Sequence, residues 1–177
     1  MSRQYFQDLL VDPPLANQSA IVATTETSLF PAAQYSPINI GDMRVGKVYK
    51  LSAGGIYTTG ASGTLIITPR FGTSTSGATM GANAAANVPV SLTNVPWYLE
   101  LNCVVRTVGL AGANSTVIGT GFFVGSGTGS VGTALSFAVG GTSASVDATI
   151  AQGINLGWTL SVAGSCTPQW CTMQSLN

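Results

Sequence analysis

The sequence contains no histidine and only twelve ordinary charges, six basic and six acidic, in 177 residues. Without histidine there is no Ser-His or Cys-His nucleophilic pair and no imidazole to ligate a metal. Neither G-x-S-x-G nor S-x-x-K occurs, so the other serine-nucleophile arrangements lack their signatures too. Three cysteines are too few for a thiolate zinc site without histidine. No segment reaches ~18 consecutive apolar residues, and Asp12, Pro13 and Pro14 interrupt the start where a secretory leader would need an unbroken apolar run. The expectations are no cofactor, no metal, no membrane, and synthesis in a cytoplasm. Net charge is zero, whereas nucleic-acid binding calls for a basic face, so nucleic acid is not an expected partner.

Charged residues make up 7% of the chain, against about 25% in ordinary soluble domains. They are unevenly spread: eight lie in the first fifty residues, and Asp147 is the only one after Arg106. Mean hydropathy is +0.37. Chains near zero net charge tend to associate, and neighbours that cover the surface keep such a chain in solution. An oligomer or a larger assembly is expected.

What is present is strand pattern. In "INLGWTLSV", Ile154, Leu156, Trp158, Leu160 and Val162 alternate with small or polar residues, as a half-buried strand requires. The same period runs through 64–71, 116–124 and 133–139, with further strands expected near 20–30, 45–58, 87–92, 145–150 and 168–176. Glycine-rich and Ser/Thr-rich turns separate them. These features predict an all-β antiparallel sandwich or barrel over residues 20–177. Residues 1–19 read as a short N-terminal arm. Phe6, Leu9 and Leu10 sit at i, i+3 and i+4, so the arm is expected as a short helix or an extended strap, with a disordered tail as the alternative. Tyr5, Phe6, Leu9 and Leu10 are its candidate partner-binding residues.

Catalytic signals are weak. Glu100 with Asp147 or Asp42 is the only glycosidase-like pairing considered, and the six acids have no informative spacing. "GTGSVG" at 127–132 matches G-x-G-x-x-G, but a strand pattern follows it where the dinucleotide fingerprint needs a helix; a hairpin loop is expected there. Cys103 reads as a buried hydrophobe. Cys166 and Cys171, five residues apart, would lie roughly 16 Å apart on opposite faces of a regular strand. Trp97 and Trp158 read as core, while Trp170, Tyr57 and one of Phe122 or Phe123 read as exposed.

The stretch "WYLELNCVVRTVG" at 97–109 concentrates charge in an apolar context. As a strand it turns Trp97, Leu99, Leu101, Cys103 and Val105 inward and Tyr98, Glu100, Asn102, Val104 and Arg106 outward. Glu100 and Arg106 stand about 20 Å apart on one face, too far to pair within the strand. Each needs a cross-strand neighbour, another subunit or water. In "RVGKVYK", strand geometry puts Arg44 and Lys50 on one face and Lys47 on the other. Arg44, Lys47, Glu100 and Arg106 are the candidate intersubunit polar contacts.

"LELNCVVRTVG", "GTGFFV", "SVDAT", "LGWTLSVAG" and "TMQSLN" together resemble the jelly-roll structural proteins of tailed bacteriophages, most of all capsid decoration (cement) proteins. The resemblance implies a jelly-roll β-sandwich that forms a homotrimer on the outer capsid surface of the virion, bound across boundaries between major capsid proteins and stabilising the shell without enzymatic activity. It also implies that Arg106 and Asp147 hold recurrent polar positions. The alternative reading is a tail or surface fibre module that binds host carbohydrate through exposed aromatics, with an enzyme third.

Overall fold

A computed structural model describes residues 8–11, 21–22, 24–30, 38–72, 76–110, 112, 114–126 and 134–176. Their regular elements are strands: β1 (Asp8–Val11), β2 (Thr27–Ser28), β3 (Val48–Thr59), β4 (Gly63–Phe71), β5 (Ala78–Thr79), β6 (Ala86–Val88), β7 (Leu92–Thr107), β8 (Ser115–Ser126), β9 (Ala134–Val146), β10 (Ile154–Leu160) and β11 (Gly164–Leu176). A six-stranded sheet runs β1-β11-β3-β7-β8-β9. The second sheet runs β2-β10-β4-β5, with β6 also on β4. Every pair is antiparallel. The expected all-β antiparallel sandwich is the fold. A ribbon pairs β3 with β11 in one sheet and continues into the other as β4 with β10.

The alternation read in 97–106 is reproduced: Trp97, Leu99, Leu101, Cys103 and Val105 are buried, while Glu100, Asn102 and Arg106 face outward. An aromatic cluster joins the sheets. Trp158 of β10 lies 5.8 Å from Trp97 and 6.2 Å from Tyr57, and Phe123 stacks on Phe137 at 4.8 Å. Each such ring contributes roughly 1.5–3 kcal/mol by leaving water.

Residues 8–11 take the extended one of the states expected for the arm, and Leu9 faces Gln174 on β11. The other arm candidates, Tyr5 and Phe6, lie outside the described residues, as does the loop 127–132. Residues 44–47 form a turn rather than a strand, because Gly46 takes φ 84 and the Lys47 amide donates to the Arg44 carbonyl. Strand β9 ends at Val146, so 147–150 is a turn. Tyr57 is buried, its hydroxyl donating to the Ser126 carbonyl at 2.5 Å; burial pushes its pKa up to about 12.

Strand β11 carries a bulge. Pro168 faces Gly55 and Trp170 faces Gly54, so Gln169 is an extra residue without a partner on β3. The bulge absorbs the odd spacing, and Cys166 and Cys171 both point into the core instead of opposite ways. All three cysteines are free and buried. Burial pushes the Cys171 thiol up to about 12 and the other two higher still.

Candidate functional site

Strand register brings a set of loops to one end of the sandwich. Val48 lies between Leu176 and Val104, Ser115 faces Val146, Phe71 faces Ile154, and Ile38 bridges to Gln152. Residues 38–47, 108–110, 112, 114 and 147–152 therefore share that end. Eight large hydrophobic side chains are exposed among the described residues, and five of them stand here: Ile40, Val45, Val108, Leu110 and Ile150. Leu110 is 93% exposed. Buried apolar surface is worth about 25 cal/mol per Å², so such a cluster is a docking surface more often than an accident.

These loops are held in place. Asp147 Oδ1 accepts from the Thr149 amide at 2.8 Å and the Thr149 hydroxyl at 2.6 Å, and Oδ2 accepts from the Gly112 amide at 3.1 Å. The Thr149 hydrogen bonds hold the Asp147 carboxyl below its ordinary pKa. Gln152 Nε2 donates to the Asp147 carbonyl at 2.7 Å. Beside the turn, a cleft of about 340 Å³ opens between Phe71, Gly77, Val146, Asp147, Ile150 and Gln152. Asp147 thus ties two loops together.

Three of the four predicted polar contacts reach this end. The Gly46 amide donates to the Val105 carbonyl and the Val105 amide to the Lys47 carbonyl, which sets the 44–47 turn beside Arg106. Arg44 and Arg106 are exposed, whereas half-buried Lys47 lies 6.0 Å from the Tyr49 ring.

Glu100 is elsewhere, mid-sheet on the outer face. Its Oε2 is 2.9 Å from Lys50 Nζ and accepts from the Tyr98 hydroxyl at 2.9 Å. Lys50, then Tyr98, hold its carboxyl below the usual pKa. Of the three resolutions open to Glu100, the cross-strand neighbour is the one observed. Around it lie Tyr98, Phe122 and Trp170, with Tyr98 5.9 Å from Trp170 and 6.1 Å from Phe122. Phe122 is the exposed member of its pair and Phe123 the buried one.

Among the described residues, no three of His, Cys, Asp or Glu converge to hold a metal, and no helix is long and apolar enough to cross a membrane. Sequence reasoning missed Ile40, Val45, Val108, Leu110 and Ile150. Their signal was large aliphatics inside Gly/Asn-rich connections such as "VGLAGANS". It also missed Lys50 as the partner of Glu100, which only the β3–β7 register supplies.

The chain matches no protein-family model, no curated protein and no solved structure.

Proposed function

We propose that this chain is a non-enzymatic structural protein of a multisubunit particle, in its sharpest form a capsid decoration protein that self-associates as a trimer and docks end-on across boundaries between major capsid proteins. The observation that carries the reading is the gathering of Ile40, Val45, Val108, Leu110 and Ile150 on three loops, two of them tied together by Asp147 and the third held by backbone bonds to Gln152 and Val105. Arg44 and Arg106 border this apolar surface and suit carboxylates on the partner. The carboxylates support a structural role as well: Glu26 grips Arg70, Glu100 grips Lys50, and Asp147 joins loops. Binding only the assembled particle would stabilise that state by linkage.

The test is co-sedimentation of the tagged protein with particles assembled in its presence, followed by localisation on them by cryo-electron microscopy. Wild type should decorate the outer surface, and Leu110→Asp combined with Val45→Asp should lower occupancy at least roughly tenfold by burying unpaired charge. A protein that stays in the supernatant, or a double variant that decorates fully, would remove the proposal. Sedimentation equilibrium reporting only monomer at micromolar concentration would remove its trimeric part.

A further inference from the structure

The outer face of the six-stranded sheet carries a row of three aromatic rings, Trp170 on β11, Tyr98 on β7 and Phe122 on β8, around the Lys50–Glu100 pair. Its geometry is specific at Gly54. A Cβ there would lie 2.5, 2.7 and 2.8 Å from three contiguous indole atoms of Trp170, Nε1, Cε2 and Cζ2. These three atoms form one edge of the indole, so that edge comes against Gly54 and leaves no room there for a side chain. Glycine at 54 is what lets Trp170 approach the sheet this closely, beside Tyr98 on the strand that Gly54 also faces. The bulge at Gln169 is what brings Trp170 to this side.

From this arrangement we infer that the row is a binding site for a neutral oligosaccharide, with pyranose rings stacked on Trp170 and Tyr98 and hydroxyl groups bonded to the Glu100 carboxylate and Lys50. The rings follow one another at 5.9 and 6.1 Å from β11 to β8, an extended track, whereas hot spots between proteins are single side chains that fill pockets. Lys50 and Glu100 are 31% and 22% exposed alongside the row. An apolar protein face would strip them of water and return nothing. A polyhydroxylated ligand gives apolar C–H groups to the rings and donors and acceptors to the ion pair. Single-stranded nucleic acid also stacks on aromatics, but it requires a positively charged track. Here the lysine is neutralised by Glu100. The site lies on the sheet face, away from the loop end, and stands independently of particle docking.

The experiment is isothermal titration calorimetry of the full chain with cellohexaose, maltohexaose and chitohexaose, with tryptophan fluorescence as a second readout. Wild type is expected to bind at least one of them with a dissociation constant near or below ~1 mM, with little change on adding salt. Trp170→Ala should weaken that binding about tenfold, the equivalent of one lost stacking partner. Phe122→Ser, at a position already 46% exposed, should weaken it with the fold intact. This variant carries the test if Trp170→Ala does not fold. Absence of heat and of a fluorescence change with all three sugars overturns the proposal, as does binding that Phe122→Ser leaves unchanged. A wild-type oligomer that Phe122→Ser dissociates, without sugar binding, overturns it in favour of a contact between copies.

Discussion

Lys50 on β3 and Glu100 on β7 are diagonal neighbours: Lys50 faces Asn102 and Glu100 faces Ser52, yet Nζ reaches Oε2 at 2.9 Å. The ammonium crosses one step of the ladder, and the Tyr98 hydroxyl takes the same oxygen from within β7. Glu100 is thereby fixed between two strands.

Glu100→Gln should lower stability by about 0.5–1 kcal/mol at pH 7, the range of a partly exposed pair. Because the folded-state pKa is depressed, the contribution is fully present above the unfolded value near ~4.3 and disappears as pH falls through the folded value. Urea denaturation should separate wild type and variant at pH 7 and bring them together near pH 3. An equal gap at both pH values would assign the loss to packing.

Arg70 forms a two-point fork with Glu26, Nε to Oε1 at 2.6 Å and Nη2 to Oε2 at 2.7 Å, and its Nη1 donates to the Gly77 carbonyl and Thr79 Oγ1. Lysine cannot reproduce this planar set, so Arg70→Lys should cost about 1–2 kcal/mol despite keeping the charge. Gly157→Ala should break the same contact from beneath, since its Cβ would stand 2.0 Å from Glu26 Oε1. Thermal melts of both variants should fall together, with faster proteolysis at 24–30. A lysine variant that melts like wild type would reduce the fork to a single-charge contact.

The three thiols are buried, and burial raises the pKa of each. A thiol-reactive reporter should therefore label none of them in native protein at pH 8 and all of them in denaturant, because only the thiolate reacts. Fast labelling without denaturant would place at least one cysteine at the surface.

Deleting Gln169 should be tolerated. Without this extra residue β11 alternates regularly, with Cys166 and Cys171 still inward and Trp170 still outward. Deleting Thr172, three residues further on, reverses the facing of the strand end and sends Met173 outward. Circular dichroism and denaturation should find the first variant folded and the second unfolded or strongly destabilised. The opposite ranking would mean that the bulge itself holds the strand.

Much of this was legible in the chain. Trp97 to Val105 alternate without interruption, and the β10 residues Ile154, Leu156, Trp158 and Leu160 turn inward as their period requires. What the period could not reveal is that β10 is covered on its other side too. Asn155 is fully buried beside Ser28, and Gly157 lies beneath Glu26, about 130 residues earlier in the chain. Tyr57 was misread because Gly54 and Gly55 interrupt the alternation that its inward neighbours Tyr49, Leu51 and Ala53 carry. The bulge was invisible for a related reason: two cysteines five apart differ in facing only if every residue between them is paired. The loop end emerges from register alone, since Ile40, Val45, Leu110 and Ile150 come from three separate stretches of sequence.

The far edge of the six-stranded sheet has a consequence for how copies of this chain can meet. Halfway along β9 the ladder breaks at Gly140 and Gly141, with φ 84 and 104, and the Thr142 amide turns to the Met80 carbonyl of the other sheet at 3.0 Å. At Gly140 a Cβ would stand 2.2 Å from the Gly119 carbonyl oxygen, so the kink depends on glycine. A straight edge would present a long template of unsatisfied amides and carbonyls, and a chain with so few charges has little else to keep strands from zipping into fibrils. The glycine pair cuts that template short, so contact along this edge is confined to half the length of β9.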